Sequence, residues 1–433
     1  MRPRFPAVLW LGVPVICLLA GSLSYFLPPI HDRLAWRVEN LRAQVKRAIN
    51  PPEQVVFIPQ EQIEAAVQST LLALSSTPGA STTPGVAPTE PGPTATPTSS
   101  PTPTPSPTPL PGQVQLTGII HEYQKFNNCG PANLSMTLSY WGWQGDQMDT
   151  AAFLRPGKYD KNVNPSEMLA FVESQTELRA VQRVGGDLDM LKRFIASGFP
   201  VIIEEGHDPP DDDWMGHYLT LNGYDDEKGI FIAQDSLIMP DFPRPYEDFA
   251  LRWRDFNYVY IVVYPSDREA EVFSLLGPQI DPIYNYEHAA RLAEQETAGL
   301  SGRDLYFAWF NLGTNRLALG DYAGAAEAFD QAFALVPSIT PEERPWRMMW
   351  YQEGPYAAYY YTGRYQDVVE LANTTFFALG EYTLEESFYW RGLAKEALGD
   401  LNGALYDLKQ TVELNSNYTP GKEQLRRLGV EAP

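Results

Sequence analysis

Cysteine is nearly absent: Cys17 and Cys129 are the only two in 433 residues, and Cys17 lies inside an uncharged apolar run. The rest of the chain therefore has one thiol and no internal disulfide, so Cys129 is either an inert buried group or a reactive one. Basic residues are scarce as well, 32 Lys and Arg against 54 Asp and Glu, for a net charge of −22. Phosphate contacts need Lys and Arg gathered on one face, so this balance argues against a nucleic-acid partner. There are only five histidines. His207-Asp208 with Asp211-Asp212-Asp213 is the one stretch that suggests metal ligands. Pro209-Pro210 inside it, and the apolar Val201 to Ile203 before it, make it a solvated loop leading to His217, suited to a lid or rim. No metal and no cofactor is expected.

Charge is missing altogether from Phe5 to Ile30, a run long enough to cross about 30 Å of hydrocarbon as a helix. Arg2 and Arg4 precede it, as in an amino-terminal signal that starts in the cytoplasm. Residues 5–30 are read as an uncleaved membrane anchor, and residues 31–76 as a helical stalk broken by Pro51-Pro52. Residues 77–112 have no aromatic side chain and consist almost wholly of Thr, Pro, Ser, Gly and Ala. Such a stretch cannot bury enough surface to fold. As polyproline II it would span on the order of 110 Å, a spacer through a cell envelope. That arrangement points to an extracytoplasmic location.

What is present is a compact segment, 114–265, and a helical one, 282–433. In the second, Trp309, Leu312, Gly313, Gly320, Asp321, Tyr322, Ala325, Phe329, Ala332 and Pro337 fill the marker positions of a 34-residue tetratricopeptide repeat. Leu398-Gly399-Asp400-Leu401 marks a further unit and Thr362-Gly363-Arg364-Tyr365 a weaker one. The turn glycines Gly320, Gly363 and Gly399 are 43 and 36 residues apart, so an insertion is expected near Pro341 to Trp346. The repeats are read as a protein-binding module that takes no part in chemistry.

The chemistry gathers in the first segment. In Asn128-Cys129-Gly130-Pro131-Ala132 the proline suits a first helical turn, and Leu134, Leu138 and Trp141 recur at helical spacing. Cys129 then sits at a helix amino terminus, where the dipole and unpaired N–H groups favour a thiolate. Gln124, five residues upstream, could donate its amide to an oxyanion. Downstream, Gly216 to Tyr224 and Gly229 to Asp235 read as a hairpin. A turn centred on Asp226 would place His217 directly opposite Asp235, as base and orienter. A slip of one residue would separate them.

These residues resemble the bacteriocin-processing cysteine peptidases, family thirty-nine of the papain-like clan, in their stand-alone form. The resemblance rests on Gln124, Asn128 to Ala132, Gly216-His217-Tyr218, Gly223-Tyr224 and Asp235. It implies a papain-like α/β fold with Cys129 as nucleophile, His217 as base, Asp235 as orienter and Gln124 as oxyanion donor. Relatives commonly carry Asp-Pro where this chain has Asp235-Ser236. The expectation is thus a membrane-anchored peptidase acting on a peptide or protein substrate, followed by an all-α repeat solenoid that holds a protein partner. The same Cys–His chemistry also serves cell-wall amidases and transpeptidases, and an inactive peptide-binding scaffold stays open.

Overall fold

The computed structural model describes residues 57–60, 62, 109–157, 162–209, 213–379 and 382–431. The apolar run 5–30, and most of the expected stalk and tether, lie outside the described residues. Among those described, no helix is long and apolar enough to cross a membrane.

Seven strands form one sheet: β1 (Gln113–Gln115), β2 (Leu178–Arg183), β3 (Val201–His207), β4 (Met215–Asp225), β5 (Ile230–Gln234), β6 (Phe242–Pro245) and β7 (Tyr260–Pro265). Their order is β2-β7-β3-β4-β5-β6, with β1 also on β4, and all pairs run antiparallel. Strand alternation sorts the apolar side chains to two faces. Val201, Ile203, Leu219, Leu221, Tyr260 and Val262 pack on helices α4 (Leu188–Ala196), α5 (Tyr246–Arg254) and α6 (Glu269–Leu276). Ile202, Tyr218, Ile261 and Val263 pack on α1 (Cys129–Tyr140) and α3 (Pro165–Gln175), beside which lies α2 (Gln147–Leu154). The result is a helix–sheet–helix sandwich.

Helix α1 is buried continuously from Gly130 to Leu138, as suits a central helix. A β-carbon at Gly130 would meet Met168 Cε at 3.0 Å and Val163 Cβ at 3.1 Å. The glycine therefore lets the helix start press against the neighbouring segment.

Beyond the sheet come α7 (Pro282–Thr297), α8 (Gly302–Ala318), α9 (Tyr322–Leu335), α10 (Met348–Tyr351), α11 (Gly354–Tyr361), α12 (Tyr365–Leu379), α13 (Glu385–Ala397), α14 (Leu401–Leu414) and α15 (Thr419–Arg427). The three expected turn glycines, Gly320, Gly363 and Gly399, have φ of 80°, 79° and 90°, the left-handed region glycine tolerates best. The expected insertion is present between α9 and α11, where 3₁₀ turns lead into the four-residue α10.

The boundary between the two segments is covalent rather than spatial. Trp214 and Phe256 of the first segment share a hydrophobic core with Phe307 and Met348 of the second. The buried amides of Asn257 and Asn315 bond reciprocally at 2.7 and 3.0 Å. Asp208 accepts from Arg303 at 2.8 and 3.0 Å and is also paired with Arg252, which ties the expected rim loop to α8. One described piece of the stalk joins the same core: Phe57 is 7% exposed and packs edge-on against Phe333 of α9 at 5.2 Å.

Candidate active site

The loop before α1 is held by two side chains that the sequence did not single out. Gln147, buried at the start of α2, accepts from Lys125 N at 2.7 Å and donates to Tyr123 O at 2.9 Å. Glu122 accepts from Gln147 N at 3.0 Å and from Ser135 on α1. This pins residues 122–128 against the helix start, and with them Gln124. The Gln124 N–H donates to Ser236 O at 2.8 Å, and its Oε1 accepts from Ser236 Oγ at 2.8 Å. The carbonyl end of the Gln124 amide is thus anchored, and the Ser236 hydroxyl is one of the groups that hold Gln124. Asn133 on α1 completes the link, donating to Ser236 Oγ at 3.2 Å, Tyr218 O at 2.7 Å and Cys129 O at 2.9 Å.

The hairpin register differs from the expected one. Near the turn Gly223 pairs Ile232 and Asp225 pairs Ile230, but beyond Asn222 the pairs are Leu221 with Ala233 and Thr220 with Gln234. His217 is therefore not directly opposite Asp235. A bulge at Asn222 inserts one extra residue on β4, which switches the facing parity for everything beyond it. Without it Asp235 would continue the ladder opposite Thr220, on the face away from His217. With it, Asp235 lies diagonal to His217 on one face, and His217 Nε2 meets Asp235 Oδ1 at 3.0 Å. The turn is also centred later than Asp226, at the exposed Asp226-Glu227-Lys228-Gly229 run.

Asp235 Oδ1 also accepts from the N–H groups of Leu237 and Ile238 at 2.8 and 3.0 Å. Burial alone would raise this carboxyl, but the charge and hydrogen bond of His217 and the two N–H groups hold it below the usual range. Nε2 being taken, the other ring nitrogen of His217 is left for the hydrogen bond with Cys129. Burial pushes the Cys129 thiol up, yet the bond and charge of His217, with the N–H groups of Tyr218 and Gly130, bring it below its ordinary value. Burial works against the His217 cation too, and Asp235 and Cys129 outweigh it and raise the imidazole. The His207 ring lies tilted at 43° to that of His217, with centroids 5.5 Å apart. Burial and the neighbouring His217 charge take it down to about 4, so it is neutral near pH 7.

Two more groups border Cys129. Glu204, paired opposite Tyr218 across β3 and β4, is 3% exposed, and burial raises it well above the carboxylate range. Tyr351, the last residue of α10, accepts the Gly216 N–H and is charge-coupled to Cys129. Its ring packs on Trp214 at 6.0 Å and Phe256 at 5.6 Å. The repeat insertion therefore packs against Gly216, next to His217. No local sequence signal links Tyr351 to a histidine so far upstream.

Residues 109–261 match the Peptidase_C39 like family, and residues 306–339 match the tetratricopeptide repeat. Among solved structures, a putative C39-like peptidase from Bacillus anthracis is similar at 18% identity and a TM-score of 0.29, over 35% of this chain and 96% of that one. A double glycine motif protease from an AMS/PCAT transporter, solved with a leader peptide, aligns at 16% identity and 0.28, over 35% of this chain and 95% of that one. Xylellain, a cysteine protease from Xylella fastidiosa, aligns at 16% and 0.28, over 36% and 87%. No curated protein matches. By these matches the chain carries a C39-like peptidase domain over residues 109–261 and, after it, a helical region with a tetratricopeptide repeat at 306–339.

Proposed function

We propose that the protein is a cysteine peptidase that cleaves peptide bonds through Cys129, His217 and Asp235, with Gln124 as oxyanion donor. One observation supports this most directly: Cys129, lowered, and His217, raised, share a hydrogen bond at a helix amino terminus, with Asp235 on the far ring nitrogen. A thiolate–imidazolium pair is the resting form that such shifts favour.

The Cys129 thiolate attacks the substrate carbonyl carbon, a C–S bond forms, and the π electrons move to oxygen. The first-turn N–H of Cys129 and the amide of Gln124 stabilise that oxyanion. The oxyanion collapses, His217 gives its proton to the departing amine, and the C–N bond breaks to leave a thioester. Water, deprotonated by the now neutral His217, attacks the thioester; the acid leaves and the thiolate returns. Asp235 keeps the ring oriented and its cation stabilised throughout. Residues 5–30 would anchor the chain in a membrane with the folded part outside the cytoplasm, and the repeats would hold a protein substrate or partner.

The test is the rate of Cys129 alkylation by iodoacetamide between about pH 4 and 10. The wild type should titrate well below the free-thiol value of about 8.5, and His217→Ala should return toward it. A single titration near 8.5 in both proteins would overturn the catalytic reading.

A further inference from the structure

We propose that the groove of the repeats between α8, α9, α12 and the insertion is a binding site for a peptide carrying an aromatic residue two places before a proline that opens a helical turn, and that Phe57, Ile58, Pro59, Gln60 and Gln62 of the same chain fill it in cis. The inference does not depend on catalysis. Phe57 enters among Tyr306, Phe333 and Leu371 and reaches the ring of Tyr359 at 6.1 Å. Pro59 is buried, while Ile58 between them is 45% exposed; Gln60 and Gln62 are helical, and the Gln62 N–H donates to Pro59 O at 3.0 Å. The Gln60 N–H donates to Asp367 Oδ1 at 3.0 Å, and Gln62 Nε2 donates to Asp330 O at 2.6 Å. One aromatic anchor, one backbone bond to a carboxylate and one side-chain amide bond, made where the segment turns into a helix, form a peptide-recognition pattern.

The floor of the groove is built without the segment. Asp330 is held by Arg364 at 2.8 and 3.1 Å and by Tyr359 Oη at 2.8 Å. Asp367 accepts from Arg364 Nε at 2.7 Å. Phe57 also leaves apolar space beside it, lined by Val336, Pro345, Trp346, Met349 and Ala378. A larger aromatic or an added apolar residue in a competing peptide has somewhere to go. Because the segment is tethered to the body through Gly112, just before β1, it competes at an effective concentration of up to about millimolar. A free peptide at micromolar concentration therefore meets a filled groove.

The experiment uses the full chain and a fluorescein-labelled peptide of residues 54–66, followed by polarisation. Wild type should show little binding at low micromolar protein. Phe57→Ala in the full chain should bind the peptide at least tenfold more tightly, and Gln62→Ala, which leaves the apolar packing in place, a few-fold more tightly. A peptide carrying Phe57→Ala should bind none of them. Equal affinity of all three proteins for the peptide, or no binding by either variant, would overturn the proposal. So would a wild type that light scattering shows to be a dimer dissociating when Phe57 is replaced, because the occupant would then be a second copy.

Discussion

Gln124, Asp235 and His217 are each held by particular neighbours, and each side chain can be removed separately. Gln124→Ala should lower kcat by about 10²-fold, the scale of one lost oxyanion donor. Alkylation of Cys129 should be unaffected, since no oxyanion forms in that reaction; stopped-flow alkylation beside turnover of a fluorogenic peptide separates the two. Ser236→Ala leaves the Gln124 amide present but unanchored at its carbonyl end, so a smaller loss in kcat with an unchanged KM is expected. Asp235→Asn should cost on the order of 10²-fold, short of the ~10⁴ seen in a serine triad, because a thiol whose pKa is lowered leans less on its base than a serine hydroxyl does. These residues differed in how readable they were. Cys129 beside Gly130-Pro131 and His217 beside Tyr218 carry local signals of helix start and strand, so both were legible. Gln147, Glu204 and Ser236 act through contacts between segments distant in the chain, and their residue types are ordinary for a loop, a strand or a turn.

Among the elements, the β4–β5 hairpin shows how a correct pairing can rest on an incorrect register. Two short apolar runs around a polar turn made both strands legible, but the bulge at Asn222 has no signature in composition. It arises where Asn222 donates from Nδ2 to Leu116 O and to Asp241 Oδ1, both at 3.2 Å, neighbours contributed by other parts of the chain. The helix pairs were legible because their markers repeat, whereas the position of α10 against the site was not, since an insertion by definition departs from the repeat. That contact can be tested sterically. A β-carbon at Gly216 would lie 2.7 Å from Phe256 Cζ and 3.1 Å from the Tyr351 ring. Gly216→Ala should therefore destabilise by about 1–3 kcal/mol. Adding Tyr351→Ala should give less than the sum of the two single losses, a coupling read from a double-mutant cycle in urea.

Across the whole molecule, the peptidase domain and the repeats meet again through carboxyl groups. Glu167 on α3 lies near Glu385 on α13, and Asn164 Nδ2 donates to Glu386 Oε1 at 3.1 Å. Burial, with the charge of Glu385, takes Glu167 up to about 7, and burial raises Glu385 as well. Groups raised in this way bind protons more tightly folded than unfolded. Their contribution is complete below about pH 4.5 and fades as pH rises through about 7. Asp208 and Asp235, held low by Arg303 and Arg252 and by His217, act in the opposite sense and weaken the fold in stronger acid. Calorimetry should therefore find one cooperative melt a few degrees higher near pH 5 than near pH 8, and Glu167→Gln should flatten that slope. If residues 5–30 anchor the chain as proposed, the seating of Phe57 has a further consequence for how the protein would leave a surface. The stretch 63–108 begins and ends on one folded body, at the groove and at the strand that follows Gly112. A single cut among its threonines and prolines would leave the catalytic body attached by non-covalent contacts, to part only in denaturant or when a rival peptide takes the groove. For a chain anchored ahead of residue 57, shedding becomes a two-key event, scission and displacement, and neither alone should put activity into the medium.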